Sequence, residues 1–266
     1  MEAKRGAVWF GALALYALGA HGILLLDQST VHRLVGEDGW YENIGALGLA
    51  IAGVLFLLAF LRSRDPANRA HNAPLKRLFL VGIAVVFLFG AGEEISWGQR
   101  ILGFETPADL RQANFQEEVT VHNLDTVYGM PVRPYRLFTL FWFSVVFAVP
   151  LACTVYEPAR RFFARLIPLV PWTLGAVFLF NDLFSKGVEV LIQADLLPHR
   201  LNDRVEIREN VFSVLCAATA VYVFRYGVRR HEGPPAGLDE GDGEIEVTRL
   251  APAGHERSGA EVLARR

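Results

Sequence analysis

The chain reads as an all-α, polytopic membrane helix bundle, and three observations carry that expectation. Hydrophobic residues make up 52% of its 266 residues, with a mean hydropathy of +0.29. The apolar residues are clumped into runs of about 17–22, the length that crosses a hydrocarbon core of roughly 30 Å. Arginine and lysine gather in every second connecting segment, the bias shown by cytoplasmic loops.

The runs place about six transmembrane helices, near 7–26, 43–61, 78–100, 135–156, 166–186 and 205–226. The first follows Lys4-Arg5 and contains the cleavage-like triplet Ala17-Leu18-Gly19, features of a signal peptide. It continues past that triplet to Leu26, so it is read as an uncleaved span. The third begins at Leu78 and runs into Glu93-Glu94, and an α-helix continued to Arg100 would place Glu93, Ser96, Trp97 and Arg100 on one face. Between the third and fourth spans, Thr106-Pro107-Ala108-Asp109 looks like a helix start, Thr106 capping and Pro107 first in the helix. A short interfacial helix over about 107–113 is expected there. Residues 1–230 then form one six-span transmembrane domain. Residues 231–266, rich in Gly, Pro and charge, read as a disordered cytoplasmic tail.

Charge sets the orientation. Lys4 and Arg5 precede the first span; Arg62, Arg64, Arg69, Lys76 and Arg77 follow the second; Arg160, Arg161 and Arg165 follow the fourth; Arg225, Arg229 and Arg230 follow the sixth. All four segments are expected inside, both termini cytoplasmic, in a bacterial plasma (inner) membrane. The alternate segments are acidic or mixed and should face outward. A net charge of −2 and the lack of a basic stripe give no sign of a nucleic-acid partner. Cys153 and Cys216 sit inside apolar runs and match neither a disulfide framework nor zinc-ligand spacing.

The unusual polar residues gather toward the expected outer side. Two adjacent acids at the mouth of a span are expensive unless paired or functional. Asn181, Asp182, Ser185, Lys186, Glu189 and Gln193 share one side of the fifth span, where Asp182 and Lys186, one turn apart, are placed to neutralise each other. Glu206, Asn210 and Ser213 line up in the sixth, and His21 and Glu42-Asn43 lie in the same outer zone. Glu118 and His122, four apart, would point the same way if helical and share a metal or a proton. Blander readings stand beside these: a polar seam locking helices, a solvated helix start, a hydrogen-bonded core histidine.

The run GEEISWGQRILGFETP, with Glu117 and His122-Asn123 downstream, resembles uncharacterised bacterial multi-pass membrane proteins that share an EEISWGQR-like block and a later HN. A looser similarity is to the CAAX-protease and bacteriocin-processing intramembrane proteases, which pair adjacent glutamates with an arginine and add histidines from later helices. Glu93-Glu94 match that pair, whereas Arg100 is displaced and no Phe-x-x-x-His motif follows in a span. The resemblance implies a water activated by glutamate.

Three functions compete. In the first, a hydrolase or transferase acts from the outer face on a membrane-bound or lipid-linked substrate, with Glu93, Glu94, His122, Arg100 and Asp182 as candidate catalytic residues. Trp97, Ser96, Asn123, Lys186 and Glu189 would contact substrate, and a divalent metal on Glu94, Glu118 and His122 is one way to complete the site. In the second, the polar residues only lock the helices of a binding or assembly protein in the lipid bilayer. In the third, Asp182, Lys186 and Glu189 serve a small proton-coupled carrier, a reading weakened by the lack of paired broken helices.

Overall fold

Proline, glycine and the acid-rich turns punctuate the apolar runs into helices that alternate in direction. The computed structural model describes residues 2–36, 39–65, 73–114, 117–121, 124–128, 130–131 and 134–228. The helices of six residues or more among them are α1 (Glu2–Gly22), α2 (Gln28–Val35), α3 (Trp40–Arg64), α4 (Pro74–Glu94), α5 (Ala108–Ala113), α6 (Pro134–Val155), α7 (Glu157–Leu166), α8 (Trp172–Gln193) and α9 (Leu201–Tyr222). No strand occurs among the described residues beyond one isolated bridge, Asn114 with Leu124. The expected tail, 231–266, lies outside the described residues.

Among the described residues five helices are long and apolar enough to cross a membrane: α1, α3, α4, α6 and α9. The fifth expected span forms as α8, but it starts at Trp172 rather than near 166, because Pro171 opens it and α7 occupies the preceding turns. It is as long as its neighbours and carries Asp182, Lys186 and Glu189, more charge than a lipid-facing span tolerates. It packs against α1, α6 and α9.

One end of the bundle is acidic and the other basic. The acidic end collects the C-termini of α1, α4 and α8 and the starts of α3, α6 and α9. At the basic end Arg62, on the last turn of α3, donates to the Phe224 carbonyl at 2.7 Å and lies 3.9 Å over that residue's ring. Between the ends sits an aromatic core. Phe56 (α3) stacks on Phe87 (α4) at 5.7 Å, and Phe87 meets Trp142 (α6) edge-on at 5.1 Å. Cys153 and Cys216 are buried and free, as their apolar setting predicts.

Close backbone approaches set the packing. Gly48 of α3 faces Ser213, where a Cβ would stand 3.0 Å from the Ser213 carbonyl. The tightest approach is between α8 and α6. Pro150 has no N–H, so the Val146 carbonyl four residues earlier loses its ordinary helical donor, and the helix widens into a π turn over Ser144–Ala148. A Cβ built on Gly175 would lie 2.2 Å from that carbonyl oxygen, so a Cα hydrogen of Gly175 points at it instead.

Two helices were not foreseen from sequence, α2 and α7; both are short and amphipathic rather than apolar. Asp27 caps α2: its Oδ1 accepts from the Thr30 N–H at 2.9 Å and the Ser29 hydroxyl at 2.6 Å. These donors, Ser29 foremost, hold the Asp27 carboxyl well below the usual carboxylate range.

A carboxyl more acidic in the folded than in the unfolded chain stabilises above the unfolded value, about 3.9, and loses that contribution as pH falls through the folded one. Asp27→Ala is therefore expected to speed amide exchange across 28–35 at pH 7. Asp27→Asn, which keeps an acceptor, should stay near wild type, and the gap between Asp27→Ala and wild type should narrow below pH about 4. Gly175→Ala should cost about 1–3 kcal/mol by overpacking, whereas Gly187→Ala, with nothing within 4 Å of its added Cβ, should be neutral or better. Equal melting temperatures for the two glycine variants in detergent would contradict this packing.

Candidate functional site

The third span does not continue to Arg100. It ends at Glu94, and the chain then turns through three consecutive left-handed residues: Ser96 at φ 47°, Trp97 at φ 55° and Gly98 at φ 79°. Only the last is glycine, so the other two store backbone strain of about 1–3 kcal/mol each. The single-face arrangement expected for Glu93, Ser96, Trp97 and Arg100 is thereby overturned. The reversal folds the Trp97 indole back over Gly92, where a Cβ would sit 2.9 Å from the ring, and edge-on to Phe89 at 5.3 Å.

The bonds that hold this turn reach a loop some twenty residues on. The Trp97 indole N–H donates to Glu93 Oε1 at 2.6 Å, and the Val121 N–H donates to Glu93 Oε2 at 2.7 Å. The Ser96 hydroxyl donates to Glu118 Oε2 at 2.6 Å. Gln99 accepts from the Val119 N–H at 3.0 Å and donates to the Thr106 hydroxyl at 2.7 Å, which in turn donates to the Glu117 carbonyl at 2.7 Å. Asn114, also buried, donates to the Thr120 carbonyl at 2.7 Å. The residues Glu93, Ser96, Trp97 and Gln99 thus form a clasp that pins 117–121 to the end of α4.

Thr106 consequently caps no helix; its hydroxyl belongs to the clasp, and α5 begins at Ala108 with no side-chain cap. Residues 117–121 are a series of bends, with Glu117 left-handed at φ 58°, so the helical spacing expected of Glu118 and His122 does not hold there. His122, Asn123 and the side chain of Arg100 lie outside the described residues.

Glu94 takes the other direction. It is half-buried, and among the described residues no hydrogen bond or ion pair holds it. What it feels electrostatically are carboxylates: Glu209 and Glu206 from α9, Glu42 from the start of α3, and Glu93. Arg208 borders this group, pairing with Glu209 at 2.8 Å. Among the described residues no three His, Cys, Asp or Glu side chains come together as a set able to hold a metal ion. Glu94 and Glu118, two of the three expected metal ligands, engage different groups of residues.

The start of α9 is the meeting point of the remaining polar residues. Asn210, buried, accepts from the Tyr16 hydroxyl of α1 at 2.6 Å and donates to the Tyr41 carbonyl of α3 at 2.7 Å. On its other side Arg204, also buried, donates to Ser185 Oγ at 2.9 Å and reaches Glu189 Oε2 at 3.1 Å. Lys186 goes to that same Glu189 oxygen, at 2.9 Å, and not to Asp182, whose charge is felt by Arg204. Asn181 donates to the Arg208 carbonyl at 3.1 Å, tying α8 to α9. His21 of α1 is buried, its Nδ1 bonded to the Ala17 carbonyl at 2.9 Å and its ring edge-on to Phe184.

Of the residues singled out from sequence, the structure places Glu93, Ser96 and Trp97 in the clasp, Glu94 among the carboxylates of α3 and α9, and Lys186, Glu189 and Asp182 about Arg204. Sequence reasoning had missed Arg204, Gln99, Thr106 and Asn114 as bonded partners. An arginine entering an apolar run at 3.6 spacing from Ile207 and Val211 was the available signal for Arg204. Comparison with known proteins finds no matching family model, no curated relative and no solved structure that matches the chain.

Because the clasp bonds hold the chain in a left-handed turn it would otherwise leave, Glu93→Ala should free 117–121 and raise proteolytic cutting there, at a cost of about 1–3 kcal/mol. Glu94→Gln, which removes no hydrogen bond, should leave cutting and melting temperature unchanged. A Glu94→Gln variant as labile as Glu93→Ala would refute this division between the two acids.

Proposed function

We propose that this membrane protein is a hydrolase or transferase acting on a membrane-bound or lipid-linked substrate at its acidic end, with Glu94 as the proton acceptor. The observation that carries the reading is the unequal use of the two adjacent glutamates. Glu93 is committed to two donors, whereas Glu94 has none among the described residues and faces a gathering of carboxylates from three helices. A carboxylate with no hydrogen bond or ion pair of its own is free to accept a proton from a bound water or hydroxyl. Arg208, partly exposed beside the group, would receive an anionic headgroup or leaving group. Trp97, 45% exposed, marks the depth at which headgroups lie.

In this reading Glu94 takes the proton of a water or acceptor hydroxyl as its oxygen attacks, then returns it to the departing group. The acidic end faces outward and both termini lie inside, as the arginine distribution requires. The resemblance to glutamate-paired intramembrane proteases supports the activated-water idea alone. His122 and a divalent metal remain additions to the site, not requirements of the step assigned to Glu94.

A second reading, an assembly protein, is favoured by the clasp itself. Every described member of the EEISWGQR block other than Glu94 whose side chain bonds does so to build the turn or its loop. The two readings separate on Glu94. In a deletion-rescue assay, Glu94→Gln should abolish rescue at normal abundance, and Glu94→Asp should restore part of it. Full rescue by Glu94→Gln would leave the assembly reading in possession of the field.

A further inference from the structure

Helix α7 is a basic amphipathic segment at the end of the bundle opposite the clasp. Successive residues turn by about 100°, which puts Ala159, Phe162, Phe163 and Leu166 on one side and Arg160, Arg161 and Arg165 on the other. Phe163 and Leu166 pack against the core, and α7 touches α4 and the end of α6. No residue of α7 is buried. Phe162 is 59% exposed beside arginines, and the joint from α6 exposes Val155 at 85% along with Tyr156. In water such a surface would be unfavourable; at the boundary between acyl chains and headgroups each part meets its own medium.

We propose that α7 is an in-plane docking surface for anionic phospholipid headgroups. The occupant follows from charge. Arg160 and Arg161 pair with Glu157 at 2.8 and 3.2 Å, both through Nε, yet the Arg161 side chain stays 77% exposed. Against three arginines Glu157 is the one acid of the helix, ionised because Arg161 and Arg160 hold its carboxyl below the ordinary range. The face therefore keeps a net positive charge at the level where phosphate lies, with Phe162 and Tyr156 anchored among the chains beneath. Arginine suits phosphate because its planar fork offers paired donors. This surface is separate from the Glu94 group and stands whether or not that group is catalytic.

The test uses the full chain in nanodiscs of phosphatidylcholine with a minority of phosphatidylglycerol, reading the lipids retained by native mass spectrometry. Wild type should enrich phosphatidylglycerol, and the preference should fall as salt rises. The triple variant Arg160→Gln, Arg161→Gln, Arg165→Gln should lose roughly tenfold of that enrichment while melting as wild type does. Glu157→Gln, which removes the acid from the same face, should increase enrichment, a change that a purely structural helix would not produce. Equal enrichment in wild type and triple variant overturns the proposal. So does a wild type that prefers no lipid but binds an acidic peptide such as polyglutamate through these arginines.

Discussion

A carboxylate at the rim of an apolar bundle must find its donors inside the protein, since lipid supplies none. Glu93 meets that requirement with one donor from its own turn, the Trp97 indole, and one from a distant loop, the Val121 amide. Satisfying both oxygens at once forces the chain to reverse straight after α4, which is why Ser96 and Trp97 accept left-handed backbone. The reversal creates the room for Gln99 to bridge Val119 and Thr106. One buried charge thus shapes the local fold from the end of α4 to residue 121.

The same demand runs through α9. Its early turns offer Arg204, Arg208 and Asn210 on successive faces: Arg204 finds its partners on α8, Asn210 on α1 and α3, and Arg208 pairs with Glu209 of α9 itself. A helix carrying this much polarity is stable at membrane depth only at the centre of the bundle, where it is wrapped on several sides. Within the acidic group Glu94 differs from its neighbours: among the described residues no hydrogen bond or ion pair holds it, whereas Glu209 pairs with Arg208 and Glu93 accepts two hydrogen bonds.

Much of this was legible beforehand. Apolar run length disclosed the helices, because hydrophobic burial and membrane thickness both depend on it, and the interfacial α5 was visible from Pro107. The ends of helices were less legible. The third span stops at Glu94 instead of Arg100 because Ser96 and Trp97 leave the helical region under long-range constraint from Glu118 and Val121, and propensity cannot register a partner over twenty residues away. Lys186 chose Glu189 over Asp182 for a similar reason: Arg204, from another helix, already drew Glu189 inward. Helix α7 escaped notice since its ten residues are half arginine and aromatic, a composition that resembles a loop unless its arc is plotted. The acids of the clasp and of the Glu94 group, by contrast, stood out from sequence because charge in an apolar run is costly wherever it ends up.

The π turn in α6 has a bearing on how that helix is to be drawn. Widening at Ser144–Ala148 accommodates one residue more than an α-helix would over the same rise. Everything beyond it, Cys153 included, is rotated by about 100° from where a uniform helical projection of 134–155 would put it. A wheel plotted through the whole span therefore assigns lipid-facing and inward-facing positions correctly on one side of Ser144 only. Deleting a single residue from that turn would restore a regular helix while the final two turns of α6 keep presenting the same side chains to lipid and to protein, so the extra residue is absorbed without turning the rest of the helix.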